Sequence, residues 1–84
     1  MYAHLGQDTV VRTRDIVGIF DMDNTTVSKH TRQFLAVNEK AGRVCNVTYE
    51  LPGAFVICKP KNGEQIVYIS QISAATLRKR AGAD

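Results

Sequence analysis

Residues 16–27 read IVGIFDMDNTTV: an apolar run enters two aspartates one residue apart and then a threonine pair. The run is rich in β-branched and aromatic side chains, the composition of a strand. The aspartates and threonines after it have the composition of a turn and a helix start. Past them, Val27, Thr31, Phe34, Leu35, Asn38 and Ala41 recur at three- and four-residue steps, which predicts an amphipathic helix ending at Gly42, a residue suited to the left-handed position after a last turn. Asp23, Asn24 or Thr25 can cap that helix, and carboxylates beside its positive end are worth about 0.3–1 kcal/mol each.

Outward from this junction the period is that of strands. Residues 2–5, 9–13 and 15–20 are short runs broken at GQD and around RTRD, and 43–50, 54–59 and 65–72 predict three more. Pro52 and Gly53 suit a type II turn between the first two of these, and Asn62-Gly63 is a hairpin signal between the last two, so an antiparallel meander is expected. Ser73 can cap a brief last helix with Ala74, Leu77 and Ala81 on one side and Arg78, Lys79 and Arg80 at its end, where cations suit solubility and the helix dipole. The fold class expected is α+β: one domain over 1–84, a small mixed or antiparallel sheet, a central amphipathic helix and a short C-terminal helix.

The strands are apolar on both sides. Strict alternation puts Ile16 and Phe20 opposite Val17 and Ile19, and Phe55 and Ile57 opposite Val56 and Cys58. Two helices hardly cover both faces of five or six strands, and a chain of 84 residues hides only about 60% of the surface its unfolded form exposes. A homo-oligomer is therefore expected.

With 44% hydrophobic and 23% charged residues, the composition is that of a globular protein. No run approaches the roughly 20 apolar residues that span a bilayer, and MYAHLGQD lacks the features of a signal peptide, so a cytoplasmic protein without a membrane partner is expected. Cys45 and Cys58 sit in apolar runs and read as small buried hydrophobes; His4 and His30 have no metal-ligand spacing.

Asp21, Asp23 and Thr25 match the DxDx[TV] string of the haloacid-dehalogenase phosphatases, in which the first aspartate attacks phosphorus. That chemistry also needs a lysine to neutralise the transition state and a further acidic pair for the metal, on a doubly wound sheet. The later acids, Glu39, Glu50, Glu64 and Asp84, are isolated. An EF-hand reading fails too, since Thr26 and Arg32 stand where glycine and glutamate belong. No enzyme, catalytic residue, metal, cofactor or small-molecule substrate is expected.

Charge points elsewhere. Eleven Lys and Arg against eight Asp and Glu give +3 and a pI near 9.1, a lean toward anionic partners. At 100° per residue Lys29, Arg32 and Lys40 fall within an arc of about 80° on the outer helix face. Arg43 follows the helix end, Glu39 dilutes the patch, and Arg12 and Arg14 flank a strand connection. An oligomer would repeat such clusters and add phosphate contacts.

The order of these elements resembles the small bacterial extracellular matrix regulatory proteins of the RemA/RemB family, closest to the RemB branch. The resemblance is carried by HLGQD (4–8), VVRTRDIVGIFD (10–21), TTVSK (25–29), TR (31–32), FL (34–35), GRV (42–44), NVTYELP (46–52), AFVI (54–57) and VYISQISAATLRKR (67–80). It implies a DNA-binding regulator of biofilm-matrix genes, nucleoid-associated, whose α+β protomers assemble into rings and are likened to LytTR-type DNA-binding domains. Arg14 stands where the family has an arginine before an apolar strand. The RemA branch carries adjacent arginines thought to contact DNA in the turn after its middle strand, whereas here that turn is Glu50-Leu51-Pro52-Gly53. The DNA-binding residues expected are then Arg14, Lys29, Arg32, Lys40 and Arg43; the alternative is an oligomeric scaffold that works through another protein.

Overall fold

The computed structural model describes residues 1–22, 28–47 and 50–82. The decisive junction is a strand followed by a helix: β3 spans Ile16–Asp21 and α1 spans Lys29–Lys40. The helix cap is Ser28 rather than Asp23, Asn24 or Thr25. Its backbone is extended and its hydroxyl accepts the Thr31 amide at 3.1 Å. Residues 23–27, which include those three and Val27, lie outside the described residues. At the other end Gly42 takes φ +74, and the Arg43 amide bonds the Asn38 carbonyl at 2.9 Å, closing the helix where the sequence predicts.

Before β3 come β1 (Tyr2–Gly6), β2 (Thr9–Arg12) and one turn of 3-10 helix, Thr13–Asp15. After α1 come β4 (Val44–Asn46), β5 (Ala54–Cys58), β6 (Ile66–Ser70) and α2 (Ala74–Arg80). Strands β1 and β2 form their own antiparallel hairpin, and the other four make one sheet in the order β3-β5-β6-β4. Hence the sequence expectation of one sheet of five or six strands is replaced by a hairpin packed on a four-stranded sheet.

The expected meander is also corrected. Strands β5 and β6 are an antiparallel hairpin, with the Gly63 amide bonding the Pro60 carbonyl at 3.0 Å in its turn, and β3 pairs antiparallel with β5. Strand β4, however, runs parallel to β6 and does not touch β5. Helix α1 carries the chain across the sheet to the far edge, and β5 then enters between β3 and β6. Gly53 does not take the positive φ of a type II turn. It serves close approach instead: its amide bonds the Ser70 carbonyl at 2.8 Å, its carbonyl accepts from Met22 at 3.0 Å, and a Cβ there would lie 2.8 Å from the Gln71 carbonyl oxygen.

A bulge decides the faces of β3. Ile16 pairs with Cys58 and Gly18 with Ile57, so Val17 is an extra residue. Ile16 and Ile19 therefore both pack on the core, while Phe20 turns the other way and stacks on Phe55 with ring centroids 5.1 Å apart. Strict alternation, which groups Ile16 with Phe20, is overturned by that one residue.

The core lies on the face of Ala54, Val56 and Cys58. It is closed by Ala3, Leu5 and Val11 from the hairpin, Val47, and Ala74 and Leu77 from α2. Ser73 caps α2 through the Thr76 amide, as its position predicts. Arg78 and Arg80 do more than terminate that helix: Arg78 donates to the Ile19 carbonyl at 2.9 Å and Arg80 to the His4 carbonyl at 3.1 Å, tying α2 to β3 and β1. On the opposite face α1 packs against β4 and β6. A groove of about 250 Å³ remains over β3 and β5, lined by Phe20, Phe55, Ile57, His30, Thr31 and Phe34. Val17 is 66% exposed, Phe20 44% and Leu51 80%, so apolar surface is left bare, as the two-sided strands predict.

Candidate nucleic-acid interface

Helix α1 turns Phe34, Leu35 and Asn38 inward. Asn38 is buried, its amide donating to the Phe34 carbonyl at 2.8 Å. That orientation leaves Lys29, Arg32 and Lys40 on the exposed side, where the helical period places them. Val37 is exposed among them, so the outer face is basic with an apolar interruption.

Arg43 enters β4, and its carbonyl accepts the Val67 amide at 2.8 Å. Its guanidinium meets Glu64 at 3.6 Å, and both side chains are exposed. Such a pair is worth about 0–1 kcal/mol and exchanges readily for a phosphate. Arg14 belongs elsewhere. It lies in the 3-10 turn after β2 and lines a recess with Met1, Tyr2 and Arg12, to which no α1 residue contributes. The five cations expected from sequence thus divide into an α1 group with Arg43 and a separate corner with Arg14. The hairpin and α1 cover opposite faces of the sheet, a separation that only the folded chain reveals.

Sequence reasoning paired Arg12 with Arg14 at the strand connection but left Arg12 out of the expected DNA contacts, and it missed Tyr2 beside them. The signal available was the Arg-x-Arg spacing in VRTR beside a strand end. It also assigned the Arg78–Arg80 run to solubility and helix termination, whereas two of its three side chains hold main-chain carbonyls.

Asp21 ends β3 at the surface; Asp23 and Thr25, the remainder of the phosphatase-like string, lie outside the described residues. Among the described residues no three His, Cys, Asp or Glu gather as a metal site. Both cysteines are free. Burial, aided by the Asp15 carboxylate, pushes the Cys58 thiol up to about 11, so at neutral pH it stays protonated and a poor nucleophile. The Tyr68 phenol is raised by burial and then by Cys58 and Cys45. Among the described residues no helix is long and apolar enough to cross a membrane.

The family model described as RemA-like, extracellular matrix regulatory protein A-like, matches residues 3–81. The chain is also 40% identical over 81 residues to extracellular matrix regulatory protein B of Bacillus subtilis (strain 168), an alignment that takes in 96% of this chain and 90% of that protein. The α+β fold and the run from HLGQD to LRKR are thus accounted for together, and this chain belongs to the RemA-like family of extracellular matrix regulatory proteins.

Proposed function

We propose that this chain is an oligomeric DNA-binding regulator of transcription that acts on extracellular-matrix genes in the cytoplasm, gripping backbone phosphates with Arg14, Lys29, Arg32, Lys40 and Arg43. The observation that carries this reading is the outward face of α1. Among the described residues the side chains of Lys29 and Lys40 have no hydrogen bond or ion pair, and that of Arg43 has only an exposed one. Phosphate contacts of this kind position a protein on a duplex without reading bases. Family membership supports the regulatory role, since the relative in Bacillus subtilis is named for it. The bare apolar surface at Val17, Phe20 and Leu51 supports assembly of copies, which would repeat each cationic cluster along DNA.

The test is a salt-titrated DNA-binding measurement run beside light scattering. A Lys29→Ala, Arg32→Ala double variant is expected to keep its assembly, bind DNA more weakly, and lose about 0.9 per phosphate, or roughly 1.8 in all, from the slope of log K against log salt. An unchanged slope places the phosphates elsewhere.

A second reading has one observation behind it. The turn Glu50-Leu51-Pro52-Gly53 presents an acid beside a side chain that is 80% exposed and apolar, a surface for protein rather than phosphate. If the parent protein shows no DNA affinity even at low salt, this scaffold reading replaces the first.

A further inference from the structure

We propose that Arg12, Arg14 and Tyr2 form a phosphate-binding subsite that receives one phosphodiester of a DNA strand between the two guanidiniums, with the adjoining sugar against the Tyr2 ring. The subsite rests on the DNA-binding reading of the chain and locates a contact that the α1 face does not supply.

The arginines are unequally engaged. Of six in the chain, Arg43 faces Glu64, Arg78 and Arg80 hold carbonyls of Ile19 and His4, and Arg32 has a partner as well. Among the described residues Arg12 and Arg14 alone have none, and these two border the same recess of about 220 Å³, together with Tyr2 and Met1. Among the described residues no carboxylate lines it. Asp15 lies along the adjoining recess, which Arg12 also borders, so two guanidiniums stand against one acid and the corner stays positive.

The backbone beneath is held in place. The amide and hydroxyl of Thr13 both donate to the Met1 carbonyl, at 3.0 and 3.2 Å, and the Lys59 amide bonds the Asp15 carbonyl at 2.8 Å. The turn is stapled to β1 on one side and to the end of β5 on the other. Two planar donor forks on a fixed turn suit the several oxygens of one phosphate, and little backbone ordering is left for binding to cost. The recess is smaller than the 300–1,000 Å³ typical of drug-sized ligands, which fits a phosphate with part of a sugar better than a whole cofactor. Tyr2 is exposed beside the arginines and offers a flat apolar face for that sugar.

The same chemistry could take a free phosphate, so the experiment has two arms. In the first, duplex DNA binding is titrated with salt for the parent, Arg12→Gln and Arg12→Lys. Arg12→Gln is expected to weaken affinity about tenfold, uniformly across sequences, and to lower the salt slope by about 0.9. Arg12→Lys should restore the slope but only part of the affinity, because it keeps the charge and loses the fork. In the second arm, inorganic phosphate is titrated while NMR follows the Arg12 and Arg14 side chains and the Tyr2 ring. Should the parent bind DNA while Arg12→Gln leaves affinity and slope unchanged, the assignment to DNA is overturned, whatever phosphate does. Should the parent bind no DNA, the reading of the whole protein fails by itself; saturable phosphate shifts at these three side chains then uphold the recess as a phosphate site, and their absence overturns it.

Discussion

The hydroxyl of Ser70, fully buried, donates to the Leu5 carbonyl at 2.6 Å and accepts from the Ile72 amide at 3.1 Å. It joins the β1–β2 hairpin to the sheet. Ser70→Ala leaves a buried carbonyl without its donor and is expected to cost about 1–3 kcal/mol, read as a lower denaturation midpoint with an unchanged m-value. Gly53→Ala should cost a similar amount for another reason, since its Cβ would be forced to 2.8 Å from main-chain oxygen. Cys58 makes a prediction in pH. Its folded thiol titrates near 11 against an ordinary 9.0, so the folded state keeps its proton longer than the unfolded one. Its contribution to stability is complete below pH 9 and is lost as pH rises through 11. Thermal melts of Cys58→Ala should accordingly fall less than those of the parent across that window. Of these residues only the cysteine was legible beforehand, as a small hydrophobe in an apolar run. The roles of Ser70 and Gly53 depend on carbonyls far away in the chain or beyond a strand end.

At the level of elements, helices were the more readable. A helix end is made by residues within one turn of each other, so Gly42 and Ser73 announce themselves locally; even the displaced cap moved only to Ser28. Strand partners are chosen at long range. Nothing in the residues of β4 says that it lies parallel to β6, because the crossing of α1 sets its place. Helix α2 is held by two arginine tethers and the buried Leu77. Arg78→Ala combined with Arg80→Ala should therefore loosen α2, seen as faster amide exchange in Ala74–Arg80 with β5 and β6 unaffected. Leu77→Ala, which opens the core, should cost about 2–5 kcal/mol and destabilise the whole fold.

Over the whole molecule, the hairpin and α2 close the sheet face of Ala54, Val56 and Cys58 while leaving Ile16, Ile19 and Tyr68 half-buried, and on the other face Phe20, Phe55 and Ile57 border the open groove beside α1. Replacing Val17 and Phe20 together by glutamate should leave a folded monomer by circular dichroism while light scattering reports loss of any larger assembly. A parent that already scatters as a monomer at micromolar concentration would remove the oligomer from the proposed function. The five proposed phosphate contacts lie in two places, the α1 face with Arg43 and the corner at Arg14, so a duplex that engages both must span the edge of the chain or touch neighbouring copies.

The sequence by itself determined the α+β class, the apolar character of both strand faces, the end of α1 and the basic residues on its outer side. These come from periodicity and from caps whose partners lie within a turn. Only the tertiary structure decided that β4 joins β6, that the bulge at Val17 sends Ile16 and Ile19 to one face, and that Arg14 sits with Arg12 and Tyr2 instead of with α1. The first two outcomes depend on contacts between strands far apart in the chain, which local composition does not encode, and the third on the pairing of Tyr2 with Arg12 across the first hairpin.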